Sequence, residues 1–183
     1  MGEMRTTFVV GADGALSTVA RKVGMADGRL LIPALECEVT VPQERLDRWC
    51  GVARFDFGIL PHGYAWAFPK RQHLSIGVLS MVQREGDLKR ALMRYLDLLG
   101  CRDATQIEQH GFVIPVRPRT GPFAKNRVLL VGDAAGFADP VTGEGISFAL
   151  RSGQLAAQSL IEGNLKEEPV QEVYGRSLAE SIL

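Results

Sequence analysis

The 183-residue sequence predicts an α+β fold: an α/β ligand-binding portion built from the two ends of the chain, with a mostly antiparallel β lobe inserted between them. Three observations predict it. Residues 128–131 are four consecutive apolar residues that end at Gly132-Asp133, as suits a short strand buried on both faces. Residues 6–10 repeat that theme, a β-favouring run that ends at Gly11-Ala12-Asp13-Gly14. Between them, residues 29–116 alternate apolar with polar or small residues, the period of half-buried strands. The expected division is therefore 1–28 and 119–183 for the ligand-binding portion and 29–118 for the lobe.

In chain order, Leu16, Val19, Ala20 and Val23 recur at helical spacing up to Gly24, a C-terminal stop. Leu35, Cys37, Val39 and Val41 alternate, as do residues 52–59 and 64–68, and residues 74–79 add another strand. Pro61-His62-Gly63 and the segment Pro69 to Gln72 supply turns. Leu88, Ala91, Leu92, Tyr95, Leu96 and Leu99 form a helical stripe, with Asp87 as N-cap and Gly100 just past the end. A strand over 109–116 leads through a Pro- and Arg-rich connection to strand 128–131. Gly143-Glu144-Gly145 then opens a helix expected to carry Ile146, Ala149, Leu150, Gly153, Ala157 and Leu160 on roughly one face, with small residues where a sheet could come close. Gly163 closes it, and Pro169 starts another helix with Val170, Val173, Tyr174 and Leu178 on its apolar face.

Asp133 falls at the carboxyl end of its strand, the edge where ligands bind in open α/β sheets, so its carboxylate is placed to accept hydrogen bonds from ligand hydroxyls. Ala134, Ala135 and Gly136 leave room for a bulky group, Pro140 fixes the chain direction, and the helix start favours negative charge. In the lobe, Tyr64, Trp66 and Phe68 share one face of a strand and Ala65 and Ala67 the other, giving an aromatic wall suited to a greasy or planar ligand.

Composition narrows the class. Twenty-one basic and twenty-one acidic residues cancel, with no long block of either sign, so a nucleic-acid surface is not expected. No apolar run is long enough for a bilayer; a cytoplasmic protein is expected, with peripheral membrane contact left open. Cys37, Cys50 and Cys101 lack CxxC spacing, and His62, His73 and His110 are far apart in sequence, so no disulfide and no metal site is expected. The dinucleotide-binding fingerprint GxGxxG is absent: the only GxG is Gly143-Glu144-Gly145, with Phe148 where the third glycine would fall. An incomplete fold, a fragment of a longer protein, is therefore expected.

The run VGDAAGFADPVTGEGI resembles the second flavin-binding motif of FAD-dependent oxidoreductases with the para-hydroxybenzoate hydroxylase fold, and within them the geranylgeranyl reductase-like family. The resemblance implies Asp133 on the FAD ribityl chain and Gly143 to Ile146 beside the isoalloxazine. Its cofactor set is Asp13, Gly14, Gly132, Asp133, Pro140, Gly143, Glu144, Gly145 and Ile146. GADGALSTVAR resembles the family's DG motif, which implies Asp13 near the FAD pyrophosphate, with Ser17 and Arg21 holding turn and helix. Without the family, Asp13-Gly14 is a turn beside a helix cap. PHGYAWAFPK resembles the YxWxFP motif of geranylgeranyl reductases, with Gly77 at the matching spacing, which implies a substrate pocket on Tyr64, Trp66 and Phe68. The activity implied is reduction of isoprenoid C=C bonds through FAD, with NAD(P)H or another reduced carrier as donor. No side chain announces itself as proton donor; Tyr64 qualifies by position only. Lys70, Arg71, Arg117 and Arg119 stand at strand ends as cations outside this set. The alternatives are a flavin monooxygenase of an aromatic or apolar substrate and a non-catalytic lipid-binding fragment.

Overall fold

A buried strand must pair its backbone groups, and residues 128–130 do so on both sides. The computed structural model describes residues 2–26, 30–81, 85–101, 104, 106–116 and 121–183. Its elements in chain order are β1 (Val9–Gly11), α1 (Thr18–Lys22), β2 (Leu31–Thr40), α2 (Gln43–Asp47), β3 (Arg54–Phe57), β4 (Gly63–Pro69) and β5 (Leu74–Ser80). These are followed by α3 (Glu85–Leu98), β6 (Gln106–Pro115), β7 (Ala124–Lys125), β8 (Val128–Leu130), α4 (Gly132–Ala135), α5 (Ile146–Glu162) and α6 (Glu167–Ser181). They fall in two compact units, Met1–Leu31 with Ile114–Leu183, and Ile32–Val113.

In the first unit β8 is central, in the order β1-β8-β7. It runs parallel to β1, Val9 opposite Val128 and Gly11 opposite Leu130, and antiparallel to β7. Leu129 and Leu130 are fully buried against Leu155 and Ala156 of α5 and Val170, Tyr174 and Leu178 of α6. The last three are spaced by four residues, so one α6 stripe enters the core. The Tyr174 hydroxyl, buried with its ring, donates to the Leu130 carbonyl at 2.7 Å. Its pKa is pushed well above the ordinary tyrosine value by burial.

The buried face of α5 corrects the expectation. Ser152, Leu155, Ala156 and Ser159 are buried, whereas Ile146 is 78% and Leu150 67% exposed. Ala149 and Ala157 are exposed as well, and only Leu160 of the expected stripe packs on the core. The hydroxyls explain the rotation. Ser152 accepts from the Gly132 N–H at 2.9 Å and donates to the Ala149 carbonyl, and Ser159 donates to the Leu155 carbonyl at 2.7 Å. A serine whose hydroxyl is satisfied in this way is buried at little cost.

The second unit is a five-stranded sheet in the order β3-β4-β5-β2-β6, antiparallel through β3, β4, β5 and β2. Cys37, Val39, Ala65, Ala67, Leu74, Ile76 and Val78 make its inner face, packed with Leu92, Tyr95 and Leu96 of α3. α3 already includes Asp87 in its first turn, so that residue is not the N-cap. Its side chain lies outside the described residues, as do Arg29, Arg117 and Arg119 entirely. The short elements α2, β7 and α4 were not expected: each is five residues or fewer, too short to impose a period on the sequence.

Replacing Tyr174 with Phe keeps the ring and leaves the buried Leu130 carbonyl without this donor. Denaturant unfolding is expected to show a loss of about 1–2 kcal/mol at unchanged m-value.

Candidate functional site

Two acids leave the same edge of the parallel pair. Gly11 faces Leu130 across the sheet, and Val131 N donates to the Gly11 carbonyl at 3.0 Å, so Asp13 and Asp133 both follow the carboxyl ends of adjacent parallel strands. That edge is where open α/β sheets bind ligands.

After β8, Gly132 takes φ +54°, which an L side chain rarely adopts, and the chain makes the single turn α4, closed by Gly136 at φ +81°. Asp133 is half-buried on this turn. Its Oδ1 lies 3.1 Å from where a Cβ on Gly145 would stand, so the carboxylate faces the bare Cα of Gly145. The intervening loop is held by Asp139. Its Oδ1 accepts from Val141 N at 2.9 Å, Thr142 N at 2.6 Å and the Thr142 hydroxyl at 2.9 Å, and its own N–H donates to the Glu144 carbonyl at 2.7 Å. Those hydrogen bonds, Thr142's foremost, hold its carboxyl below the ordinary range. Pro140 follows directly within this turn, where its fixed φ suits the second position. Gly143 takes φ +71°.

The start of α5 is less open than the sequence implies. Glu144 accepts from Ser147 N at 2.8 Å and from the Ser147 hydroxyl at 2.6 Å, and these bonds depress its pKa. A negative charge thus already sits at that helix start. Ile146, at the first helical position, points a largely exposed side chain outward.

Around β1 the acid is a helix cap. Ser17 donates to Asp13 Oδ1 at 2.5 Å, Thr18 N and Val19 N donate to Oδ2 at 2.7 and 3.1 Å, and Ser17 Oγ in turn accepts from Ala20 N. Burial pushes the Asp13 carboxyl up, but the bonds from Ser17, Val19 and Thr18 outweigh it and the pKa falls. Gly14, at φ +77° with open space where a Cβ would stand, leaves the backbone beside Asp13 approachable. Arg21 bonds Thr18 rather than the acid. Asp139, Ser147 and Ser152 are site-building residues that the sequence reading missed. The signal for Asp139 was present, since Asp-Pro-x-Thr is a turn with a side-chain acceptor at its first position.

In the second unit the aromatic strand behaves as its period requires. Ala65 and Ala67 are fully buried on the inner face, while Tyr64, Trp66 and Phe68 stand half-exposed on the other. The wall is wider than expected, because Phe55 and Phe57 of β3 join it. Ring centroids lie 5.1 Å apart for Phe55–Phe68, 5.8 Å for Phe55–Tyr64 and 5.9 Å for Phe57–Tyr64. Trp66 lies across Gly77, where any Cβ would come within 2.1 Å of the indole. Its Nε1 faces Ser75 Oγ at 3.4 Å, and Ser75 donates to Glu36. Glycine at 77 is therefore required by the close approach of a rigid ring.

This architecture is that of the FAD-dependent oxidoreductases. A geranylgeranyl bacteriochlorophyll reductase-like protein from Thermoplasma acidophilum matches with TM-score 0.74 at 26% identity, over 97% of this chain and 47% of that one. A Pseudomonas aeruginosa protein described as a probable FAD-dependent monooxygenase matches with TM-score 0.67 over 97% of this chain and 52% of that one. Its 20% identity speaks for the fold alone. The sequence is more specific. It is 35% identical over 167 residues to the chloroplastic geranylgeranyl diphosphate reductase of Arabidopsis thaliana, covering 88% of this chain and 35% of that protein. Residues 75–182 match the family model described as lycopene cyclase protein, and the chain belongs to that family. In fold and sequence it is similar to proteins named geranylgeranyl reductases. It spans between about a third and a half of the length of these relatives.

Two outcomes follow from this geometry. In a Trp49→Phe background, Gly77→Ala should displace the Trp66 indole, shift its emission and cost about 1–3 kcal/mol as overpacking does. Because the folded pKa of Asp13 is depressed, its capping contribution is complete above the unfolded value and is lost as pH falls through the folded one. The stability deficit of Asp13→Ala, measured by urea melts, should therefore be largest near neutrality and shrink toward pH 3.

Proposed function

We propose that this chain carries the flavin-facing edge and the substrate wall of an FAD-dependent reductase acting on isoprenoid C=C bonds. The observation that carries the reading is Asp133: a half-buried carboxylate at the end of a buried parallel strand, facing a Cα with no side chain. The residues fit the cofactor. Gly145 leaves space where a Cβ would fill the cradle, and Gly14 leaves backbone open beside the second acid.

In this reading the first unit binds FAD and the second is the substrate lobe. Asp133 accepts hydrogen bonds from the ribityl hydroxyls, and Gly132, Gly143 and Gly145 keep the backbone low enough for a planar ring to approach. Asp13 and Gly14 shape the turn near the pyrophosphate, Asp13 by capping α1 and Gly14 by leaving the backbone bare. Pro140 and Glu144 belong to the same cofactor set: Pro140 sets the turn, and Glu144 holds the helix start through Ser147. Ile146 offers an apolar edge. Bound FAD supplies the redox chemistry, relaying electrons from NAD(P)H or another reduced carrier to the alkene. Tyr64, Trp66 and Phe68, widened by Phe55 and Phe57, bind the prenyl chain and exclude water from the reacting carbons. Tyr64 is the hydroxyl of the wall and the candidate to deliver the proton. The likeness to named geranylgeranyl reductases supports the substrate class.

The test is Asp133→Ala, with Asp133→Asn as the shape-preserving partner, in the protein that contains this chain. Loss of a charge-assisted hydrogen bond should weaken FAD by about 1.5–3 kcal/mol, on the order of ten- to a hundredfold in Kd. Unchanged flavin affinity in both variants would remove the assignment.

A further inference from the structure

The outer face of the five-stranded sheet gathers a donor set that plays no part in the site above. Glu38 on β2 and Glu108 and His110 on β6 place one ligand atom each within 4.8 Å of one another. Strands β2 and β6 are neighbours, and Glu108 and His110 are two apart on one strand, so both project to the same side. A second imidazole stands beside them. His73, immediately before β5, brings Nε2 to 3.9 Å from Glu38 Oε2, and β5 is the neighbour of β2 on its other side.

We propose that Glu38, Glu108 and His110, with His73 as fourth ligand, form a site for a zinc-class divalent cation that ties the edge strand β6 to the sheet. The chemistry of the donors selects the ion. Two carboxylates and two imidazoles are a mixed oxygen and nitrogen set, which suits Zn²⁺, whereas Mg²⁺ asks for an octahedron of oxygens. Zinc bonds of about 2.0–2.2 Å put tetrahedral ligands about 3.3 Å apart, so Glu38, Glu108 and His110, now within 4.8 Å of one another, need to close by no more than about 1.5 Å, within the reach of side-chain rotation. Three of the four ligands stand on strands, which limits how far the site can drift. Two carboxylates this close repel one another, and a dication between them turns the repulsion into attraction. Linear spacing hides the set: its members come from three separate stretches of sequence, and only pairing of the strands assembles them.

The experiment is calorimetric titration of Zn²⁺ into the metal-free full chain, run in a Cys50→Ser background so that the exposed thiol cannot compete. The expected result is one Zn²⁺ per chain, at least about tenfold weaker in His110→Ala and in Glu108→Gln, with Mg²⁺ giving no heat. Zn²⁺ should also raise the melting temperature of the parent by mass action and raise that of His110→Ala by less at the same concentration. Co²⁺ in place of Zn²⁺ should give the intense visible bands of a four-coordinate centre. Full-strength binding in both His110→Ala and Glu108→Gln, no binding by the parent, or binding that disappears with Cys50 alone would each overturn the proposal.

Discussion

The parallel pairing of β1 with β8 is the contact on which the rest depends. It joins stretches of chain separated by the whole of the second unit, with Val9 against Val128 and Gly11 against Leu130. Parallel strands require a long crossover, and here the connection contains a unit with its own core. The pairing puts two acids at one sheet edge. Each then finds a different use: Asp13 spends its lone pairs on α1, while Asp133 turns its carboxylate to the open Cα of Gly145. The Asp13 turn is thus tied into α1, and the Asp133 turn is the one that we propose meets a ligand.

The β8–α5 junction shows how tightly that shape is held. A buried hydrogen bond from Gly132 to Ser152 fixes the strand end against the helix, Asp139 closes the loop, and Glu144 caps the helix start. The bonds that set this junction are therefore made inside the chain. The aromatic wall follows the same logic on a different scaffold. Buried Ala65 and Ala67 let β4 lie close on the core, and Gly77 lets an indole lie flat across its neighbour.

Much of this was legible in the sequence. Four apolar residues before Gly132-Asp133 could be little other than a buried strand, and the period of two around Trp66 sorted wall from core correctly. The wall's full width was legible too, since Phe55 and Phe57 have the same spacing, but their strand is short and was read only as part of a longer alternation. The α5 face was not, because serine counts as polar until its hydroxyl is known to find a partner in the fold; Ser152 and Ser159 find theirs and turn the helix. The Glu38, Glu108, His110 and His73 cluster was invisible for another reason. It exists only once β5, β2 and β6 lie side by side.

Anaerobic absorption spectroscopy of the protein that contains this chain tests the central claim most directly: reduce its FAD, add a geranylgeranyl substrate in the absence of oxygen, and follow the flavin bands. The account predicts that the oxidised spectrum returns as the isoprenoid is saturated, in step with product. Flavin that stays reduced until oxygen is admitted, with an oxygenated product then formed, would contradict it.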